Sequence, residues 1–198
     1  MRILDLVEAN LGANILVVDV QPAYDRWCSH ITPGIAQLLN KHTGGRYCLY
    51  NAEGLTDDTQ QGVAMYLSEN GMTEEAIDGT KFIEKGYGFF RNWMDAGVTE
   101  RIIIKTIRAM VQNRVHDSRD LDVNKVLTPY EQERGLKPWK VDWDNEGIYM
   151  PDFMPISLLK QMSPFLMCGG AREQCLREIE ILCNAFNIRY KRIDSLIY

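Results

Sequence analysis

The chain alternates short apolar runs with segments of helical periodicity. Residues 14–20 form the clearest run, β-branched and nearly continuous, and Pro22 follows shortly after it. A run of this kind predicts a strand that is buried on both faces of a parallel sheet. Shorter runs predict four more strands, at residues 46–50, 81–85, 164–168 and 189–193.

Apolar residues spaced three and four apart predict the helices that separate these strands. The predicted helices cover residues 33–42, 60–70, 89–96, 100–115, 155–162 and 171–186. The rhythm of strand, helix and strand predicts a single α/β domain over residues 1–198, with a three-layer Rossmann-like fold and a mostly parallel central sheet. Residues 117–147 are polar and contain prolines. We expect an irregular surface excursion there, of the kind that serves as a lid or an oligomer contact.

Composition and charge narrow the function classes. Of the 198 residues, 45% are apolar and 25% are charged. These values are ordinary for a globular protein and exclude collagen, coiled coils, disulfide-dense toxins and disordered tails. The formal net charge of −5 provides no general positive field for a phosphate backbone. Nucleic acid is therefore not an expected partner.

The cysteines and the N-terminal residues indicate the cellular compartment to expect. The 5 cysteines are irregularly spaced and form no CxxC pair. Reduced thiols in a cytoplasmic protein are the simplest interpretation, with no metal and no cofactor. Asp5 and Glu8 stand where a signal peptide would be basic and then apolar. The apolar stretches are far shorter than a membrane span, so we expect no membrane association.

Asp19 interrupts the apolar run at the carboxyl end of the first predicted strand. A charged residue in an apolar run needs a partner or a purpose. In open α/β sheets, ligands bind outside the carboxyl ends of the strands, which favours a functional role. The alternative is a structural aspartate that caps the following loop through backbone N–H groups.

The segment from Cys168 to Cys175 holds a second set of candidate residues. A predicted strand enters the turn Gly169–Gly170, and Cys175 falls near the start of the next predicted helix. The N–H groups and the dipole at a helix N-terminus lower the pKa of a thiol, and the thiolate is the nucleophile. The two glycines allow close approach of a ligand or supply N–H donors to an oxyanion. The alternative is that Cys175 is a small apolar residue on the buried helix face.

Two segments together resemble the isochorismatase-like cysteine hydrolases. One is the run Leu16-Val17-Val18-Asp19-Val20-Gln21 followed by Tyr24, and the other is Cys168-Gly169-Gly170-Ala171-Arg172-Glu173-Gln174-Cys175. The resemblance implies a three-layer α/β fold and an Asp–Lys–Cys triad. The Asp-x-His metal pair of the nicotinamidase branch is missing after the second predicted strand. This departure argues against a metal-dependent nicotinamidase.

The resemblance further implies the roles of individual residues. Asp19 is the base, and Cys175 is the nucleophile that attacks a small amide or vinyl-ether substrate. Gly169, Gly170 and the amide of Cys175 line the oxyanion site, and Gln21 and Tyr24 shape the pocket entrance. The lysine of the triad has two candidates: Lys140 fits the family's spacing, and Lys85 has the better local context. Each of these lysines has the alternative of an ordinary surface side chain.

Two other function classes remain open. Several carboxylates converging on Mg²⁺ would suit a PIN-like nuclease; the candidates are Asp19, Glu53, Asp57, Asp58, Asp117, Asp120 and Asp152. A non-catalytic binding or structural protein is the third class. Its aromatic residues would serve the core or a homo-oligomer interface, and they are Tyr87, Phe89, Phe90, Trp93, Trp139 and Trp143.

Overall fold

The computed structural model describes residues 13–52, 57–85, 89–137, 141–150 and 154–198. In chain order the elements are β1 (Asn14–Val18), α1 (Asp25–Cys28), α2 (Thr32–Lys41), β2 (Arg46–Tyr50), α3 (Gln60–Glu69), α4 (Glu74–Asp78), β3 (Thr80–Glu84), α5 (Arg91–Asp95), α6 (Glu100–Asn113), α7 (Val123–Val126), α8 (Pro129–Gly135), α9 (Met154–Met162), β4 (Phe165–Gly169), α10 (Cys175–Phe186) and β5 (Tyr190–Arg192). Short 3-10 turns lie at Pro22–Tyr24, Ser118–Asp120 and Asp194–Leu196. Within these described ranges, no helix is both long and apolar enough to cross a membrane.

The five strands form one sheet in the order β3-β2-β1-β4-β5. Every neighbouring pair is parallel, with Val17 of β1 opposite Cys48 on one side and Cys168 on the other. The prediction of an α/β fold is confirmed, with a fully parallel sheet flanked by helices in the manner of a three-layer Rossmann-like fold. The strand order reverses between β1 and β4. In such sheets the crevice outside the carboxyl ends at this switch point is where ligands bind.

The sheet belongs to the first of two compact units of the chain. This unit comprises the described parts of Met1–Tyr87, Met162–Arg177 and Arg189–Tyr198. Its core packs one sheet face, including Ile15 and Val17, against apolar side chains of α1 to α4. Leu16 and Val18, which point to the opposite face, are also fully buried. Burial on both faces explains why the first strand appears in the sequence as a continuous apolar run.

The second unit comprises the described parts of Gly88–Gln161 and Glu178–Ile188. Its longest helix, α6, buries Ile103, Ile107 and Met110 along one face. The segment 117–147, expected to be irregular, contains the turn Ser118–Asp120 and the helices α7 and α8. A capping box starts α8: the side chain of Thr128 accepts from the Glu131 amide, and the Glu131 side chain accepts from the Thr128 amide. The segment is thus more regular than its polar composition predicts.

Candidate active site

Asp19 stands immediately after β1, on a backbone that few side chains adopt. Its φ is 47°, in the left-handed region, and its amide donates to the carbonyl of Leu49 at 2.9 Å. Aspartate tolerates this conformation better than most residues. Residues held in such sparsely populated conformations cluster at functional sites. The side chain of Asp19 is fully buried.

Lys85 follows β3 and forms an ion pair with Asp19. Its Nζ lies 2.9 Å from Oδ2 of Asp19, and the two side chains are 1% and 0% exposed. The amide of Lys85 donates to the carbonyl of Tyr50, which extends the pairing of β2 and β3 by one residue. Among the described residues, neither oxygen of the Asp19 carboxylate has a hydrogen-bond partner. The carboxylate is therefore buried with an ion pair but without hydrogen bonds to complete its shell.

Cys175 reaches the same carboxylate from the other side of the switch point. The chain leaves β4 through Gly169 and Gly170, both with left-handed φ values of 72° and 65°. A Cβ on Gly169 would lie 2.5 Å from the carbonyl oxygen of Val18. This close turn brings Cys175, the first residue of α10, near enough to Asp19 for its thiol to interact with the carboxylate. The other four cysteines are buried, whereas Cys175 is partly exposed.

The electrostatics of Cys175 differ from the sequence expectation. The pKa of the Cys175 thiol is raised to about 12, chiefly by burial and then by the nearby Asp19 carboxylate, while Lys85 and the Ala171 backbone act in the opposite direction. The prediction of a lowered pKa is wrong because desolvation outweighs the helix N-terminus. The resting thiol keeps its proton. The adjacent Asp19 carboxylate is the group positioned to accept it.

The turn before α10 leaves a donor beside the thiol. The amides of Gln174 and Leu176 both donate to the carbonyl of Ala171. In the described part of the chain, the intervening amide of Cys175 donates to no backbone carbonyl. A backbone N–H in this position suits a developing oxyanion. Gly169 and Gly170 form the turn itself, and the carbonyl of Gly170 accepts from the amide of Tyr198.

Gln21 connects two strand ends. The residue is fully buried, its Nε2 donates to the carbonyl of Asn51 at 2.8 Å, and its Oε1 accepts from the Asn51 amide at 2.9 Å. Both polar atoms of its side-chain amide are thus bonded to the backbone of Asn51. Tyr24, the other residue predicted at the pocket entrance, is partly buried, and its hydroxyl lies 3.3 Å from Nδ2 of Asn51.

Tyr198 is part of the site but carries no sequence signal. Its hydroxyl donates to the carbonyl of Asp19 at 3.0 Å. Burial, and then the nearby charges of Cys175 and Asp19, raise the pKa of this phenol above its usual value. Tyr198 contacts the site only because the turn after β5 leads back past the ends of β4 and β1. Asn51 was also missed, although a polar residue directly after a buried strand is a recognisable signal.

The remaining candidates fall outside the site or outside the described residues. Lys140, Glu53, Asp152, Tyr87 and Trp139 lie outside the described residues. Among the carboxylates that are described, Asp58 accepts from the amide of Ala23, and Asp117 pairs with Arg119. No three His, Cys, Asp or Glu side chains in the described ranges are grouped so as to hold a metal ion.

Two cavities lie away from Asp19, Lys85 and Cys175. One, of about 390 Å³ in the second unit, is lined by residues of α6 and α8. The other, of about 460 Å³ in the first unit, lies beside α3, α4 and the edge strand β3. Neither is lined by Asp19, Lys85 or Cys175. The candidate site is therefore defined by these three side chains at the switch point of the sheet and not by a cavity. No protein-family model, no curated protein and no solved structure matches this chain.

Proposed function

We propose that this protein is a cysteine hydrolase that acts on a small amide or vinyl-ether substrate. Cys175 is the nucleophile, Asp19 the base and Lys85 the cation of the triad. The observation that supports the proposal is that the buried Asp19–Lys85 ion pair and the Cys175 thiol lie together at the switch point of the sheet. A nucleophile next to a base, with a cation beside that base, is an arrangement that can activate the nucleophile for covalent catalysis.

For an amide, the first half-reaction forms a thioester. Asp19 takes the proton of the Cys175 thiol as the sulfur attacks the carbonyl carbon, and the carbonyl oxygen becomes an oxyanion near the Cys175 amide. Asp19 then gives the proton to the leaving nitrogen. The C–N bond breaks, the amine or ammonia departs, and an acyl group remains on Cys175.

The second half-reaction restores the enzyme. Asp19 takes a proton from water as the oxygen attacks the thioester carbon. The tetrahedral intermediate collapses with cleavage of the C–S bond, the carboxylic acid leaves, and the sulfur recovers the proton from Asp19. Lys85 stabilises the carboxylate while it is charged. When Asp19 holds a proton, the positive charge of Lys85 faces the developing negative charge on sulfur and oxygen.

The proposal is tested by assaying the full-length protein against a panel of small primary amides and vinyl ethers. Ammonia release and carbonyl product are measured for the wild type and for Cys175→Ala. Cys48→Ala is the matched control, because Cys48 is a buried thiol of β2. We expect Cys175→Ala to reduce turnover to background while Cys48→Ala keeps it. Turnover that survives in Cys175→Ala but is abolished by EDTA would replace the proposal with metal-dependent chemistry.

A further inference from the structure

Asn51 stands at the carboxyl end of β2, beside the triad. Its preceding residue, Tyr50, accepts a hydrogen bond from the amide of Lys85. Its own backbone is paired with Gln21, two residues after Asp19. Asn51 therefore follows the strand that lies between those carrying the base and the cation. The residue is only 6% exposed.

The side chain of Asn51 is fixed at one end and unsatisfied at the other. Its Nδ2 donates to the hydroxyl of Tyr24 at 3.3 Å. Its Oδ1 is buried and has no hydrogen-bond partner among the described residues. An unsatisfied buried acceptor is unfavourable for folding, and native proteins rarely keep one without a reason. A ligand that donates a hydrogen bond would satisfy this oxygen.

The partners of Asn51 connect it to the reacting groups. Tyr24, which binds Nδ2, is one of the groups whose electrostatic effect raises the pKa of Tyr198, after burial and the charges of Cys175 and Asp19. The hydroxyl of Tyr198 in turn donates to the Asp19 carbonyl. Tyr24 thus lies near Tyr198, whose hydroxyl reaches the backbone of the base.

We propose that Oδ1 of Asn51 accepts a hydrogen bond from an N–H group of the substrate. This inference rests on the proposed function, and it selects between the two substrate classes named there. An amide carries an N–H donor next to the carbonyl carbon, whereas a vinyl ether has no such donor at its ether oxygen. A site built to receive a hydrogen bond discriminates strongly against an analogue that lacks the donor. The substrate class is therefore a small primary or secondary amide.

The test uses two alkylating probes of similar size that differ in this donor. Iodoacetamide carries an N–H group, and methyl iodoacetate has an ester in its place. The alkylation rate of Cys175 by each probe is measured by mass spectrometry, and the ratio of the two rates is divided by the same ratio for glutathione. Both probes react with the thiolate, so a change in the thiol pKa cancels from this normalised ratio.

We expect the wild type to favour iodoacetamide by about tenfold, the effect of one hydrogen bond to a buried acceptor. Asn51→Leu, which removes the acceptor at similar size, should bring the normalised ratio to about one. Asn51→Asp keeps an acceptor oxygen and should preserve the preference. Asn113→Leu is the matched control, because Asn113 is exposed on α6 and bonds only its own helix.

A wild-type ratio equal to that of glutathione would overturn the inference, and this readout requires no variant to fold. An unchanged preference in Asn51→Leu would overturn it as well.

Two further variants, Asp19→Asn and Lys85→Met, distinguish failure of this inference from failure of the proposed function. If they change the Cys175 rates with both probes while the ratio stays at one, the triad stands and the Asn51 role fails. If they change neither rate, the proposed function itself fails.

Discussion

Two lysine–carboxylate pairs, one in each unit, have the same chemistry in opposite surroundings. In the second unit, Lys105 pairs with Glu131, and the side chains are 37% and 13% exposed. Glu131 also accepts from the amide and hydroxyl of Thr128, and Arg101 lies within 3.6 Å. In the first unit, Lys85 and Asp19 are sealed from water, and neither oxygen of the Asp19 carboxylate has a hydrogen-bond partner among the described residues.

The difference separates a pair with a structural explanation from a pair without one. Hydrogen bonds from Lys105 and Thr128 lower the pKa of Glu131 to about 2, and the carboxylate completes a helix cap, which explains the pair entirely. A buried ion pair with few hydrogen bonds contributes little net stability, because desolvation offsets the attraction. The Asp19–Lys85 pair also stands on a left-handed backbone next to a thiol. Energetically unfavourable features such as this desolvation and this backbone conformation are expected at functional sites.

The largest expected effect is the loss of one partner of the buried pair. Lys85→Met leaves the Asp19 carboxylate buried without a counter-charge, and we expect a loss of about 3–5 kcal/mol in the free energy of unfolding. Urea denaturation followed by circular dichroism measures it. The double variant Asp19→Asn with Lys85→Met removes both charges, and asparagine tolerates the left-handed backbone. It should recover most of the loss, and a single-variant cost below about 1 kcal/mol would contradict the buried pair.

An intermediate effect is expected at the turn that precedes Cys175. Gly169→Ala adds a Cβ on a left-handed backbone, 2.5 Å from the Val18 carbonyl oxygen. We expect destabilisation of about 2–3 kcal/mol and slower alkylation of Cys175. Gly71→Ala is the matched control, because Gly71 also has positive φ but no atom lies within 4 Å of its added Cβ. Equal costs at the two positions would show that the tight contact with β1 does not constrain this turn.

The smallest effect is expected at the pair in the second unit. Lys105→Met should cost less than about 1 kcal/mol near neutral pH, because the pair is partly exposed and Glu131 keeps its bonds to Thr128. The folded-state pKa of Glu131 is lowered from 4.5 to about 2. Its contribution is therefore present above pH 4.5 and is lost as the pH falls toward 2. Lys105→Met should flatten this part of the stability profile, and a cost equal to that of Lys85→Met would erase the contrast between the pairs.

Much of the fold was predictable because its signals are local. The five strands lie at or within two residues of the predicted positions. The signal is clearest in β1 and β4, because a strand buried on both faces requires a continuous apolar run, whereas the edge strands β3 and β5 are partly exposed. The sequence motif Thr128-x-x-Glu131 was a capping-box signal for α8 that the polar composition of its surroundings concealed. The helix predicted from residue 171 begins at Cys175, because the turn after Gly170 takes up the residues in between.

The site was predictable only where a residue conflicts with its surroundings. Asp19 in an apolar run and Cys175 after two glycines are conflicts of that kind. The proximity of Lys85 to Asp19 depends on the strand order, in which β3 lies next to β2 and two strands from β1. No local sequence pattern gives that order. The raised pKa of Cys175 was also not predictable, because burial depends on tertiary packing.

The central claim is that Cys175 rests as a neutral thiol and gives its proton to Asp19. The most direct measurement is the pH dependence of Cys175 alkylation by iodoacetamide, read by mass spectrometry for the wild type and for Asp19→Asn. We expect slow labelling of the wild type at neutral pH, with an apparent pKa well above the ordinary value of about 8.5. Asp19→Asn should lower this pKa, because the negative charge of the carboxylate raises it. Fast wild-type labelling with an apparent pKa below about 8.5, or an unchanged pKa in Asp19→Asn, would contradict the claim.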